Sequence, residues 1–99
     1  MPHSAKRLAF HRKSVFQDAA IVEMRVWIVP RSRSMPEGYK YSLVYIDSHG
    51  RRILGYDNSE GKGHHRHFEG KEQPVIFHSI SALASKFMAE VRGIRGELG

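Results

Sequence analysis

The chain has 99 residues, 40% of them hydrophobic, with 16 lysines and arginines against 10 acidic residues and no cysteine. That length implies one domain over residues 1–99 and argues against a second core, while the missing thiols exclude a disulfide framework and a thiolate metal site. No apolar run approaches the roughly 20 residues of a membrane span, and the start "MPHSAKRLAF" lacks the apolar core of a signal peptide, so the expectation is a soluble, cytoplasmic protein with no membrane contact.

The net charge of +6 is unevenly spread. Met1 to Pro36 carry seven basic and two acidic residues, whereas Glu37 to Gly99 carry nine and eight. A positive end attracts phosphate backbones through counterion release, which makes RNA a reasonable partner. A core this small leaves about 35–40% of the unfolded chain's surface exposed, so a homodimer or another partner is compatible with it.

In chain order, the basic N-terminal segment 1–18 places Leu8, Val15 and Phe16 among Lys6, Arg7, Arg12 and Lys13, a pattern read as a short helix. In "AIVEMRVWIVP", Val22, Met24, Val26 and Ile28 alternate with Glu23, Arg25 and Trp27, the period of a half-buried strand. "YKYSLVYID" is a second strand, with Tyr39, Tyr41, Leu43 and Tyr45 on one face. "DSHG" suits a tight hairpin, and "RRILGYD" returns as a third strand. "HHRHF" reads as a short fourth strand, "EGKE" as a turn and "PVIFHS" as a fifth strand. From Ser79 the period changes to 3.6, and Ile80, Leu83, Ala84, Phe87, Met88, Val91 and Ile94 form one stripe, predicting an amphipathic helix over 80–96. The resulting fold class is α+β: an antiparallel four- to five-stranded meander over 21–78, with the C-terminal helix packed across one face.

The chemistry concentrates in "GYDNSEGKGHHRHFEG". On a strand, alternation points His65 and His67 one way and His64, Arg66 and Phe68 the other. With "GYD" as antiparallel neighbour, Asp57 comes to the same end of the sheet. Two imidazoles, a carboxylate and a cation are what metal-independent RNA cleavage requires: a base for the 2′-hydroxyl, an acid for the leaving 5′-oxygen and a phosphate clamp. His65 and His67 are the expected proton carriers, Asp57 the orienting carboxylate, and Arg66 or Lys62 the clamp.

A two-histidine, one-carboxylate metal site competes with this reading, with His64 as a spare donor. Lys62 and Arg66 would repel the ion and no further carboxylate is near in sequence, so neither metal nor cofactor is expected. "EGKG" lacks the glycine and hydroxyl residues of a P-loop. Asp57-Asn58 also suits a strand-ending Asx turn. Trp27, Tyr39, Tyr41 and Tyr45, flanked by Arg25 and Lys40, are candidates for base stacking, although period-two aromatics usually belong to cores. His3, His11, His49 and His78 read as surface or turn residues. A non-catalytic module binding a protein or nucleic acid, with structural histidines, is the alternative function.

The order Tyr56-Asp57-Asn58, then His64-His65-Arg66-His67, then an amphipathic C-terminal helix resembles the TumE-type toxins of prokaryotic toxin–antitoxin pairs. The likeness runs from Ile21 to Val91; the loop "SEGKG" is shorter than is usual there, and Gly63 stands where proline is common. The resemblance implies a toxin acting on RNA or translation and neutralised by a helix-turn-helix antitoxin. On it, Tyr56, Asn58 and His64 join the candidate substrate-binding residues.

Overall fold

A computed structural model of the chain describes residues 6–59, 61 and 63–96. Six strands follow one another: β1 (Arg7–Val15), β2 (Ile21–Ile28), β3 (Tyr39–Ile46), β4 (Arg52–Asp57), β5 (His65–Phe68) and β6 (Lys71–Pro74). Each pairs antiparallel with the next in one open sheet. The helix α1 (Ile80–Ile94) closes the chain's elements.

The period-two pattern of β2 and β3 becomes a two-sided sheet. Val22, Met24 and Val26, then Tyr41, Leu43 and Tyr45, then Leu54 and Tyr56 are buried on the face that receives Leu83, Phe87 and Val91 of α1. Those helix residues recur at i, i+4 and i+8, so burying them covers a single stripe. Each fully buried side chain of this size contributes about 1.5–3 kcal/mol. Ser79 caps the helix by accepting from Ala82 N at 3.0 Å, and Gly96, at φ +76°, lets the chain turn away at the other end. The helix is two residues shorter than expected. Beyond its end, Arg95 reaches the β1–β2 turn, stacking 3.9 Å from the Phe16 ring and pairing with Asp18 at 3.3 Å.

Two differences from the sequence reading matter. The expected N-terminal helix is instead the strand β1, making six strands rather than four or five. Its apolar residues are too few to give a helix a buried stripe, whereas pairing along β2 satisfies its backbone, and the cross-strand pair His11–Glu23 at 2.7 Å adds to the ladder. Ala19, at φ +75°, turns the chain between them. Almost all of β1 is exposed, because α1 does not extend over it.

The second difference concerns "EGKE". Only Glu69 and Gly70 form the turn, both with positive φ as a two-residue hairpin of this hand requires. Lys71 to Pro74 therefore join the sheet against β5, and Val75 to Ser79, expected as strand, are irregular. Phe77 from that segment packs on His64 with ring centroids 4.6 Å apart. The expected "DSHG" hairpin does form, with Asp47 Oδ1 accepting from His49 N and Arg51 N, both at 2.9 Å.

Candidate functional site

The register assigns every site residue to a face. Directly opposed residues share one, so Glu23, Val44, Gly55, His67 and Glu72 form a row across β2 to β6, and Arg25, Ser42, Asp57 and His65 form the next. Both rows lie on the face away from α1. Met24, Leu43, Tyr56 and Arg66 form the intervening row, which faces the helix.

On the open face, Asp57 and His65 are directly opposed. His65 Nε2 lies 2.9 Å from Asp57 Oδ1 and 3.3 Å from Glu72 Oε2; His67 Nε2 lies 3.6 Å from Asp57 Oδ2 and 3.9 Å from Glu72 Oε2. The two imidazole rings meet edge to face with centroids 4.7 Å apart. Asp57 Oδ1 also accepts from Ser59 N at 3.3 Å and Ser59 Oγ at 3.2 Å, the Asx turn expected where the strand ends.

His65 is only 4% exposed. Its Nδ1 sits 3.0 Å from Gly63 O, and a carbonyl only accepts, so Nδ1 carries the proton of that hydrogen bond. Nε2 makes no well-directed hydrogen bond, although Asp57 Oδ1 is near enough, because the carboxylate lies off the ring's N–H direction. With Nδ1 protonated, a neutral His65 would turn a lone pair toward carboxylate oxygens.

A pocket of about 400 Å³ opens beside this cluster, with Trp27, Lys40, Ser42, Arg52, Asp57, Ser59 and His67 in its walls. Its basic wall depends on a glycine. The guanidinium of Arg52 folds back over Gly55, where an added Cβ would stand 2.7 Å from one terminal nitrogen and 3.0 Å from Nε. The same guanidinium is 3.9 Å from Asp57 Oδ2. On the pocket's far side, Lys40 Nζ and Lys6 Nζ stand 5.6 and 4.8 Å from the centre of the Trp27 ring, within cation–π range.

The other candidate residues serve the opposite face. Arg66 turns to the helix side, where Nε donates to both carboxylate oxygens of Glu90 at 3.1 and 3.0 Å. Tyr56 Oη donates to the same carboxylate from within the core. Burial opposes the ionised form of Glu90, but the hydrogen bonds from Arg66 and Tyr56 outweigh it and hold its carboxyl below the ordinary range. Burial, then Glu90, pushes the Tyr56 phenol far up.

Asn58 is buried and extends the β3 ladder: Oδ1 accepts from Tyr41 N at 3.1 Å and Nδ2 donates to Tyr39 O at 2.8 Å. His64 donates from Nε2 to Glu37 at 3.1 Å and accepts at Nδ1 from Tyr41 Oη at 2.9 Å. Of the four aromatics considered for stacking, Tyr41 and Tyr45 are in the core and Trp27 faces the pocket. Lys62 and His3 lie outside the described residues.

Sequence reasoning missed Arg52 and Glu72. Arg52 was legible only as one of two consecutive arginines, and its route over Gly55 is a tertiary feature. Glu72 was taken as part of a turn. His65, His67 and Asp57 are brought together as expected, their donor atoms all within 4.8 Å of one another.

A family model described as toxin TumE matches residues 3–95, which includes β1 as well as the part of the chain that carried the resemblance. Among curated proteins and among solved structures, nothing matches. No helix of the described residues is long and apolar enough to cross a membrane.

Proposed function

The chain belongs to the TumE toxin family and is thus the toxin of a toxin–antitoxin pair; from that premise we propose that it binds RNA on the open face of the sheet and cleaves it there. The observation that supports this reading most is the convergence of His67, Asp57, Arg52 and Lys40 on one solvent-accessible pocket with Trp27 at its edge. Phosphate requires the cations, a base can stack on the indole, and proton transfer requires the imidazole and carboxylate.

In this scheme Arg52, rather than the helix-bound Arg66, holds the phosphate. The RNA's 2′-oxygen attacks phosphorus as His67 takes its proton. The P–O5′ bond breaks as the 5′-oxygen takes a proton from the acid that Asp57 supplies, backed by His65, at the pocket wall. The products are a 2′,3′-cyclic phosphate and a 5′-hydroxyl. His65 and His67 keep their expected roles as proton carriers, with His67 in direct reach of substrate.

The test is to incubate purified, chelator-treated protein with RNA beside His67→Ala and Arg52→Ala. Cleavage by the wild type that falls at least about 100-fold in His67→Ala supports the scheme. Intact RNA in every tube, at protein concentrations equal to substrate, refutes it.

The second reading is a binding module without chemistry, and β1 favours it. Leu8, Phe10 and Val15 are 56, 47 and 64% exposed on an edge strand that no described helix covers. Such an edge suits an added strand from a partner. A helix-turn-helix antitoxin, or a second copy of the chain, is the partner proposed for it. Pull-down with Phe10→Asp separates the two readings: loss of partner with cleavage retained leaves the catalytic reading standing.

A further inference from the structure

We infer that Asp57, His65 and His67, with Glu72 as a fourth donor, form a binding site for one divalent transition-metal ion of the zinc class. The sequence argued against an ion because Lys62 and Arg66 were expected beside it and no further carboxylate was near. In the fold, Arg66 is turned to the opposite face and bound by Glu90, while the two-residue turn at Glu69-Gly70 sets Glu72 directly opposite His67.

The spacing of the donors agrees with an ion at their centre. Ligands at 2.0–2.2 Å in tetrahedral arrangement stand about 3.3–3.6 Å from one another. The four imidazole–carboxylate separations are 2.9, 3.3, 3.6 and 3.9 Å, and the donor atoms of Asp57, His65 and His67 all lie within 4.8 Å of one another, so side-chain shifts of up to about an ångström close the set on an ion. The donor types, imidazole nitrogen and carboxylate oxygen without sulfur, suit zinc, cobalt or nickel better than magnesium or copper(I).

A second, independent observation concerns His65 itself. It is 4% exposed, its Nε2 has no directed hydrogen bond among the described residues, and that atom points into the cluster. Its Nδ1–H is committed to Gly63 O at 3.0 Å, the backbone carbonyl contact that fixes a ligating imidazole's orientation and leaves the other nitrogen's lone pair for the metal. A divalent ion there satisfies the Nε2 lone pair and both facing carboxylates at once. Two carboxylates offset the ion's charge, and Arg52, a cation 3.9 Å from Asp57 Oδ2, is exposed enough to swing away.

The binding goes beyond the proposed cleavage; only its consequence for RNA rests on that reading. An ion on His67 Nε2 takes that nitrogen out of proton transfer, so saturating Zn2+ suppresses cleavage at least about tenfold and a chelator restores it.

The experiment uses the full chain, stripped with chelator and dialysed. Co2+ is titrated while the visible ligand-field absorption is recorded, and Zn2+ is titrated by calorimetry. One ion per chain is expected, with displacement of Co2+ by Zn2+. His67→Ala and His65→Gln each weaken binding at least about 100-fold, while His11→Ala, a surface histidine remote from the cluster, leaves it unchanged. His67 is partly exposed, so its variant folds even if that of the buried His65 does not. No absorption band, or affinity in His67→Ala equal to that of wild type, overturns the inference. A bound ion with unaltered cleavage would leave the site standing and refute the role of His67 in proton transfer, so the two proposals fail separately.

Discussion

Gly55→Ala separates stability from function at one position. Gly55 lies mid-strand with negative φ, so an alanine is conformationally allowed, and restricting the unfolded chain favours it by about 0.5–1 kcal/mol. The new Cβ meets only the Arg52 side chain within the closest contacts, at 2.7 Å. That side chain is 53% exposed and can swing outward at small cost. The melting temperature is therefore expected to hold or to rise by up to about 8 °C for a domain of this size. Function responds in the opposite direction, since the displaced guanidinium no longer reaches a phosphate over the pocket. Loss of one charge-assisted contact weakens single-stranded RNA binding by about tenfold or more. The slope of log affinity against log salt concentration becomes shallower by about 0.7, the signature of one missing phosphate contact. Thermal melting and fluorescence anisotropy across a salt series measure both quantities. An unchanged salt slope beside an unchanged melt would refute the assignment of Arg52. A fall in melting temperature of more than about 10 °C would show that Arg52 is not the group that yields.

Further outcomes follow from the helix side and the loops. Glu90→Gln leaves Arg66 without its carboxylate in a partly buried setting and is expected to cost about 1–3 kcal/mol in denaturant unfolding, below the range of a fully buried pair because both side chains retain solvent. The Glu90 carboxyl is depressed in the folded state, so its contribution is fully present above the ordinary glutamate value of 4.5 and disappears as pH falls through the lower folded value. Acid titration of stability below pH 4.5 should accordingly be flatter in Glu90→Gln than in wild type. Asn58→Ala removes the partners of Tyr41 N and Tyr39 O in a buried setting and is expected to lower stability by about 1–3 kcal/mol by chemical denaturation. His64→Ala, on the face away from the pocket, should lower the melting temperature while the cleavage rate of the folded protein stays within a factor of about two; a hundredfold loss of rate would place His64 in the chemistry.

Much of the architecture was legible because it is written in short-range periods. The alternation of Val22, Met24 and Val26 with Glu23, Arg25 and Trp27 and the stripe from Ile80 to Val91 each report their own burial. β1 was not legible in this way: with neighbours of both polarities and little burial, its structure comes from the backbone ladder it makes with β2, which local periodicity does not encode. The strand expected at "PVIFHS" failed for a related reason. Val75 and Phe77 do face the protein, but through loop packing such as Phe77 on His64, while Ile76 between them is exposed.

The same division runs through the candidate site. That His65 and His67 share one face while His64 and Arg66 share the other follows from the two-residue repeat of any strand, and the sequence alone determined it. Which face meets solvent, and what else arrives there, was decided only in three dimensions. The two-residue turn at Glu69-Gly70 brought Glu72 opposite His67, and the bare backbone of Gly55 made room for Arg52. Glu90, 24 residues along the chain, claimed the Arg66 guanidinium for the core side. Register between strands and capture across the sheet depend on residues far apart in sequence, so no local pattern could report them.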